Sequence, residues 1–136
     1  MLVIDASIAV DMALVGRAPG VLAVEELVAP ALLWSESTSA LHELAFRGEV
    51  DEVTSSDAIA RLSALGIARF EHPELHPEAS RIARKLGWAK TYDAEYVAVA
   101  RLTGSRLLTR DARLRRGASS VVTIVGPAEF GVGRPG

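Results

Sequence analysis

Apolar and polar residues follow two rhythms along this chain: short apolar runs, and longer stretches with a helical stripe. The short runs, each built round an apolar centre, are "LVI" (2–4), "LVAP" (27–30), "RLLT" (106–109) and "VVTIV" (121–125), while "IARFEH" (67–72) alternates in period two. Runs this short, rich in Leu, Val and Ile, predict strands, the alternating one with a wet face. The stretches between them predict helices. The first covers 7–15 with Ser7 as N-cap, and "VLAVEEL" (21–27) follows after a turn at "GRAPG" (16–20). The next opens at Pro30 and closes at Gly48, with Leu33, Ala40 and Leu44 along its apolar stripe. A helix with cap chemistry between Thr54 and Asp57 carries Ile59, Leu62 and Leu65. "HPEASRIARKLG" (76–87) turns Ile82, Ala83 and Leu86 inward and stops at its glycine. Thr91 caps a helix that Gly104 ends, and a short one runs from Asp111 to Arg116. Strands alternating with helices imply a mostly parallel sheet covered on both faces, an α/β fold. One domain over 1–126 is expected, with a flexible tail over 127–136.

Composition narrows the class. A chain of 136 residues, 49% hydrophobic and 24% charged, suits one folded core rather than a disordered segment. No apolar run approaches the roughly 20 residues that span a bilayer. "MLVI" has no basic region before it and is too short for a secretory signal, so a cytoplasmic protein without a membrane role is expected. The absence of cysteine excludes disulfides, zinc–thiolate sites and thiol nucleophiles. Net charge is −2, yet the 15 basic residues comprise 13 Arg and only Lys85 and Lys90. Arg suits planar phosphate recognition.

The acids are more telling. Ligands of open parallel sheets bind beyond the carboxyl ends of the strands. Asp5 ends the first predicted strand, and Asp111 follows a later one by two residues beyond Thr109. Asp93 lies in the first turn of its helix, where the dipole favours an acid. Glu36 borders the apolar stripe of its helix; Glu43, seven residues on, shares its face but lies farther from the strand end. Each acid alone can be a cap or a solvated side chain. Together on one edge, two carboxylates about 4 Å apart repel by roughly 4 kcal/mol at an effective dielectric of 20, so the cluster takes up protons or holds a cation. An all-oxygen shell suits Mg²⁺ or Mn²⁺.

"VIDAS", "PALLWSE", "TYDAEYVAVA" and "LLTRDARL", in that order, resemble PIN-domain ribonucleases, above all the VapC toxins of bacterial toxin–antitoxin pairs. The likeness runs from Met1 to about Val125. It implies a three-layer α/β/α sandwich and a metal-dependent endoribonuclease. The family's acidic quartet falls on Asp5, Glu36, Asp93 and Asp111, and its small hydroxyl positions on Ser7 and Thr109, which would orient a carboxylate or a water on the metal. A VapB-like antitoxin that blocks the site, and homodimerisation, are implied as well. One departure is Arg113, which stands where some relatives carry a further acid that would help hold a second ion.

In such an enzyme a cation on Asp5, Asp93 and Asp111 activates water and polarises the phosphate, and Glu36 serves a second ion directly or through water. One or two ions fit this reading. Arg110, Arg113, Arg115 and Arg116, with Arg106 just upstream, surround Asp111 and are expected to contact RNA; loss of Arg115 and Arg116 should weaken binding and flatten its salt dependence. His42, His72 and His76 have no paired spacing and are assigned surface or capping roles. Trp34 and Trp88 suit bases, the core or a partner surface. An aspartyl phosphatase would need a second Asp two residues after Asp5, where Ser7 stands, and a receiver domain an acidic pair before it. No phosphate-binding glycine loop occurs. The remaining rival is an inert module of the same fold that binds RNA or a protein, against which the four retained acids argue.

Overall fold

The computed structural model describes residues 1–17 and 20–130. Leu2, Val3 and Ile4 form β1 (Leu2–Ile4) and are fully buried, because a central parallel strand is covered on both faces and needs no polar side. It pairs with β2 (Leu27–Pro30) on one side and β4 (Arg106–Leu108) on the other, with Leu2 opposite Leu27 and Ile4 opposite Leu108. β3 (Ala68–Phe70) and β5 (Ile124–Val125) are the edges of a wholly parallel sheet ordered β3-β2-β1-β4-β5.

That order fixes the layers. The chain steps outward from β1 to β3, then returns across β1 to build β4 and β5. Right-handed crossovers put α1 (Ala6–Val15), α2 (Gly20–Ala23), α3 (Leu32–Phe46) and α4 (Glu52–Arg61) on one face. They put α5 (Leu75–Leu86), α6 (Tyr92–Thr103) and α7 (Ala112–Ala118) on the other. Packing agrees: α1 meets α3 and α4, α5 meets α6, and α6 lies on β1, β2 and β4. The result is the expected α/β/α sandwich, with its core between the sheet and the two helix layers. Strand order reverses between β1 and β4, so the crevice beyond their carboxyl ends is where a ligand is expected. Among the described residues, no helix is long and apolar enough to cross a membrane.

Several local expectations are corrected. Asp5, not Ser7, caps α1, accepting from the Ile8 amide. Gly16, in the left-handed region at φ 93°, closes that helix; positions 18–19 of the expected turn lie outside the described residues. The "VLAVEEL" helix shrinks to α2, because the Glu26 carbonyl already accepts from the Leu2 amide at 2.9 Å and ties the chain to the sheet. Pro30 ends β2 rather than opening α3, whose cap position is Ala31. Asp51, upstream of the expected cap at 54–57, caps α4 through the Thr54 amide at 2.7 Å, a contact worth about 1 kcal/mol. The predicted strand at 121–125 keeps only Ile124 and Val125, since the Val121 and Val122 amides bond back to Ala118 and close α7.

The tail expected from 127 begins as a 3₁₀ turn, Pro127–Phe130. Phe130 is buried with the Arg106 guanidinium 5.1 Å from its ring centre, and Glu129 accepts from Arg115 at 2.7 Å and from the Gly126 amide at 3.1 Å. Positions 131–136 lie outside the described residues.

Candidate active site

Asp5 leaves β1 only 6% exposed, yet both of its oxygens are occupied. The Ser7 hydroxyl donates to Oδ1 at 2.5 Å and the Ile8 amide donates to the same atom at 3.4 Å. The Thr109 hydroxyl, arriving from the end of β4, donates to Oδ2. These hydroxyls also tie the two strand ends together. Ser7 accepts from the Arg110 amide at 3.1 Å, and Thr109 accepts from the Asp111 amide at 2.9 Å. Burial pushes the Asp5 carboxyl above its ordinary range, against the hydrogen bonds from Ser7, Thr109 and Ile8. Sequence reasoning had set cap and functional residue as rivals for Asp5; the geometry gives it the cap and still turns it to the crevice end of the sheet.

Asp111 does likewise for α7. Its Oδ1 accepts from the Arg113 and Leu114 amides at 2.9 and 3.3 Å, while Oδ2 is 3.7 Å from the Arg113 guanidinium. Glu36 comes from α3 on the opposite layer and is met by Tyr96 of α6, whose hydroxyl donates to Oε1 at 2.5 Å. Burial pushes the Glu36 carboxyl up despite that bond, and the charges of Asp93, Asp5 and Glu95 push it further. Tyr96 is itself buried, and that burial, with Glu36 beside it, keeps its phenol protonated. Asp93 sits exposed in the first turn of α6. Partial withdrawal from water raises its carboxyl, Asp111 adds to the rise, and Arg113 opposes it. Thr91 stands at the cap position of α6 without a side-chain capping bond.

The predicted quartet is therefore linked by its electric fields: Asp5 to Glu36, Glu36 to Asp93, Asp93 to Asp111. Glu43 is not part of it, being exposed and 3.8 Å from Arg47. Among the described residues, no three Asp, Glu or His side chains converge as a ready-made metal cage. The donors are nonetheless all hard oxygens, and Mg²⁺ is typically held by one or two carboxylates with water and substrate oxygens completing its shell. The residues fit such an ion.

A cleft of about 530 Å³ opens beside the acids, lined by Glu36, Trp88, Lys90, Tyr92, Asp93 and Arg113 among others. Of the predicted RNA contacts, Arg113 lines it. Arg110 is ion-paired with Asp11, Arg115 is held by Glu129, and Arg116 is exposed on α7. The histidines match their assignment: His72 Nδ1 accepts from the Glu74 amide, and exposed His76 lies 3.7 Å from Glu95. Trp34 carries the Arg69 guanidinium 5.1 Å from its ring centre. Sequence reasoning missed Tyr96, Glu95 and Lys90. Tyr96 follows Asp93 by three residues and so shares its helix face, a signal legible in "YDAEYVAVA" as a polar ring set directly before an Ala/Val run.

The PIN domain model matches residues 2–119. Ribonuclease VapC9 of Mycobacterium tuberculosis (strain ATCC 25618 / H37Rv) is 34% identical over 115 residues, 84% of this chain and 88% of the relative. VapC ribonuclease Mb0985 of Mycobacterium bovis matches to the same extent. Among solved structures, PAE2754 from Pyrobaculum aerophilum superposes with a TM-score of 0.68 at 27% identity, over 90% of this chain and 89% of that one. FitAcB from Neisseria gonorrhoeae gives 0.58 at 16% identity over 91% and 96%, a likeness of fold.

Proposed function

The chain belongs to the PIN domain family, alongside the VapC ribonucleases, and from that membership we propose that it is an endoribonuclease acting as the toxin of a VapBC-type pair. The observation that supports the reading is the chain of electrostatic influence from Asp5 to Glu36, Glu36 to Asp93 and Asp93 to Asp111, acids from separate elements near the point where strand order reverses. Three of these carboxyls are held above their ordinary range, chiefly by withdrawal from water, with neighbouring carboxylates adding to the rise at Glu36 and Asp93. Asp5, Asp93 and Asp111 would hold Mg²⁺ or Mn²⁺, with Glu36 serving a second ion where one binds. Such an ion, when bound, supplies Lewis-acid charge for the phosphate and a water of lowered pKa.

This chain's own residues do the rest. Ser7 and Thr109 fix both oxygens of Asp5, and Tyr96 fixes one oxygen of Glu36, so the acids keep their orientation without a ligand. Lys90 and Arg113 bring positive charge to the cleft rim for the RNA backbone. A VapB-like antitoxin that covers the cleft and a homodimer belong to the same reading. Purified protein incubated with an RNA pool is expected to generate new RNA ends with Mg²⁺ or Mn²⁺ and none with EDTA. Absence of cleavage with every divalent ion would leave a module that only binds.

Among the arginines, the cleft geometry favours Arg113. Arg113→Ala is expected to weaken RNA binding across sequences and to lower the salt slope by about one, measured by anisotropy over a salt series in EDTA. Arg115→Ala should do less, because its guanidinium is already engaged by Glu129 at 2.7 Å. An unaltered slope in the Arg113 variant would remove it from the RNA path.

A further inference from the structure

We propose that Trp88 and Tyr92 form a subsite for one unpaired RNA base, next to the acidic centre, with Lys90 and Arg113 meeting the flanking phosphates. The inference rests on the ribonuclease reading for the identity of the strand, and on the geometry of the cleft wall for the subsite itself. Gly87, in the left-handed region at φ 74°, ends α5, and the Trp88 amide then bonds the Ala83 carbonyl at 2.8 Å, which fixes the indole's backbone. Across the indole lies Gly117 of α7. A methyl group there would stand 3.0 Å from Trp88 Cζ2, so the glycine makes room for the ring against the helix. The ring is half-buried, packed at one edge and lining the cleft that Glu36 and Asp93 also line. Tyr92, 55% exposed, lines the same cleft four residues on.

A tryptophan that served only as core filler would not share a cleft with two acids, a lysine and an arginine. Aromatic rings interleaved with cations are what a single strand requires: rings take bases, whatever their identity, and cations take the backbone. Held there, a base would bring its adjoining phosphodiester beside Asp93 and Glu36. The subsite reads strandedness rather than sequence, because a base still stacked in a duplex cannot reach the indole.

Intrinsic fluorescence tests this. In the Trp34→Phe variant, Trp88 is the only tryptophan. With EDTA present to prevent turnover, hexauridylate is expected to quench it saturably. A ribose-phosphate hexamer of the same length without bases is expected to bind at least about fivefold more weakly. In the Trp88→Leu variant, with folding checked by circular dichroism and affinity by anisotropy, the advantage of the chain with bases should vanish. Equal affinity for the two hexamers, or an indole that does not respond, overturns the subsite. The two readings fail separately. RNA cut with Mn²⁺ while Trp88 stays silent removes the subsite alone, and a responsive Trp88 without cleavage by any divalent ion removes the nuclease alone.

Discussion

Asp5→Asn is expected to lower the single-turnover rate of RNA cleavage by at least about a hundredfold while the chain stays folded. Changes to groups that merely support a metal ligand commonly cost 10–100-fold, so loss of a ligand's charge belongs at or above the upper end. The amide keeps most of what Asp5 does for the fold. Asn ranks with Asp as an N-cap, so the bond from the Ile8 amide survives, and the Ser7 and Thr109 hydroxyls can turn to donate or accept as the amide demands. Ala would confuse the result, since it removes cap and charge together. Thermal unfolding beside the cleavage assay separates the effects. An Asn variant that cuts RNA at the parent rate would reduce Asp5 to a helix cap.

The second large effect concerns pH and divalent ions together. Asp5, Glu36, Asp93 and Glu95 all have carboxyls raised from their ordinary values of 3.8 for Asp and 4.5 for Glu, in each case chiefly by withdrawal from water. A raised folded-state pKa means that the folded chain binds more protons than the unfolded one. Stability must then fall as pH rises from the ordinary carboxylate value through the raised one. Asp51 and Glu129 act in the opposite sense, their carboxylates lowered by backbone amides, but both lie at the surface. The metal-free protein is accordingly expected to melt at a lower temperature at pH 7.5 than at pH 5. Mn²⁺ should restore the loss. At about 100 times its dissociation constant an ion adds roughly 2.7 kcal/mol, on the order of 10 °C for a domain of this size. At pH 5, where protons compete for the same oxygens, the gain should be smaller. A melting temperature that rises with pH in EDTA, or equal ion-induced shifts at both pH values, would contradict a shared acidic site.

How much of this was legible in the chain varies with the range of the interaction. β1 could be read because a strand buried on both faces must be apolar throughout, and "LVI" has no other use so near an acid. The glycines at 87 and 104 were plain for a local reason, since each ends its helix in the left-handed region. Caps were harder. Asp51 was passed over because Thr54, Ser55, Ser56 and Asp57 offer similar chemistry a few residues later, and only packing selects among them. Ser55, for instance, spends its hydroxyl on the Leu41 carbonyl at 2.8 Å. The strand at 121–125 was overread because its valines look alike, whereas the structure spends the first two on α7. The acidic quartet was found through strand ends and resemblance, but Tyr96 on Glu36 spans 60 positions and Thr109 on Asp5 spans 104. No local pattern encodes such pairings. They follow from the return crossing of the chain over β1.

The clasp between the ends of β1 and β4 has a wider implication. Ser7 and Thr109 each bind an oxygen of Asp5; Ser7 also takes the Arg110 amide beyond β4, and Thr109 takes the Asp111 amide of its own strand's exit, so both wings of the sheet are riveted at the point that faces substrate. An arriving ion meets a finished socket and need not recruit it from loose loops. The entropy of assembling that socket was spent during folding, and none of it is charged again at each turnover.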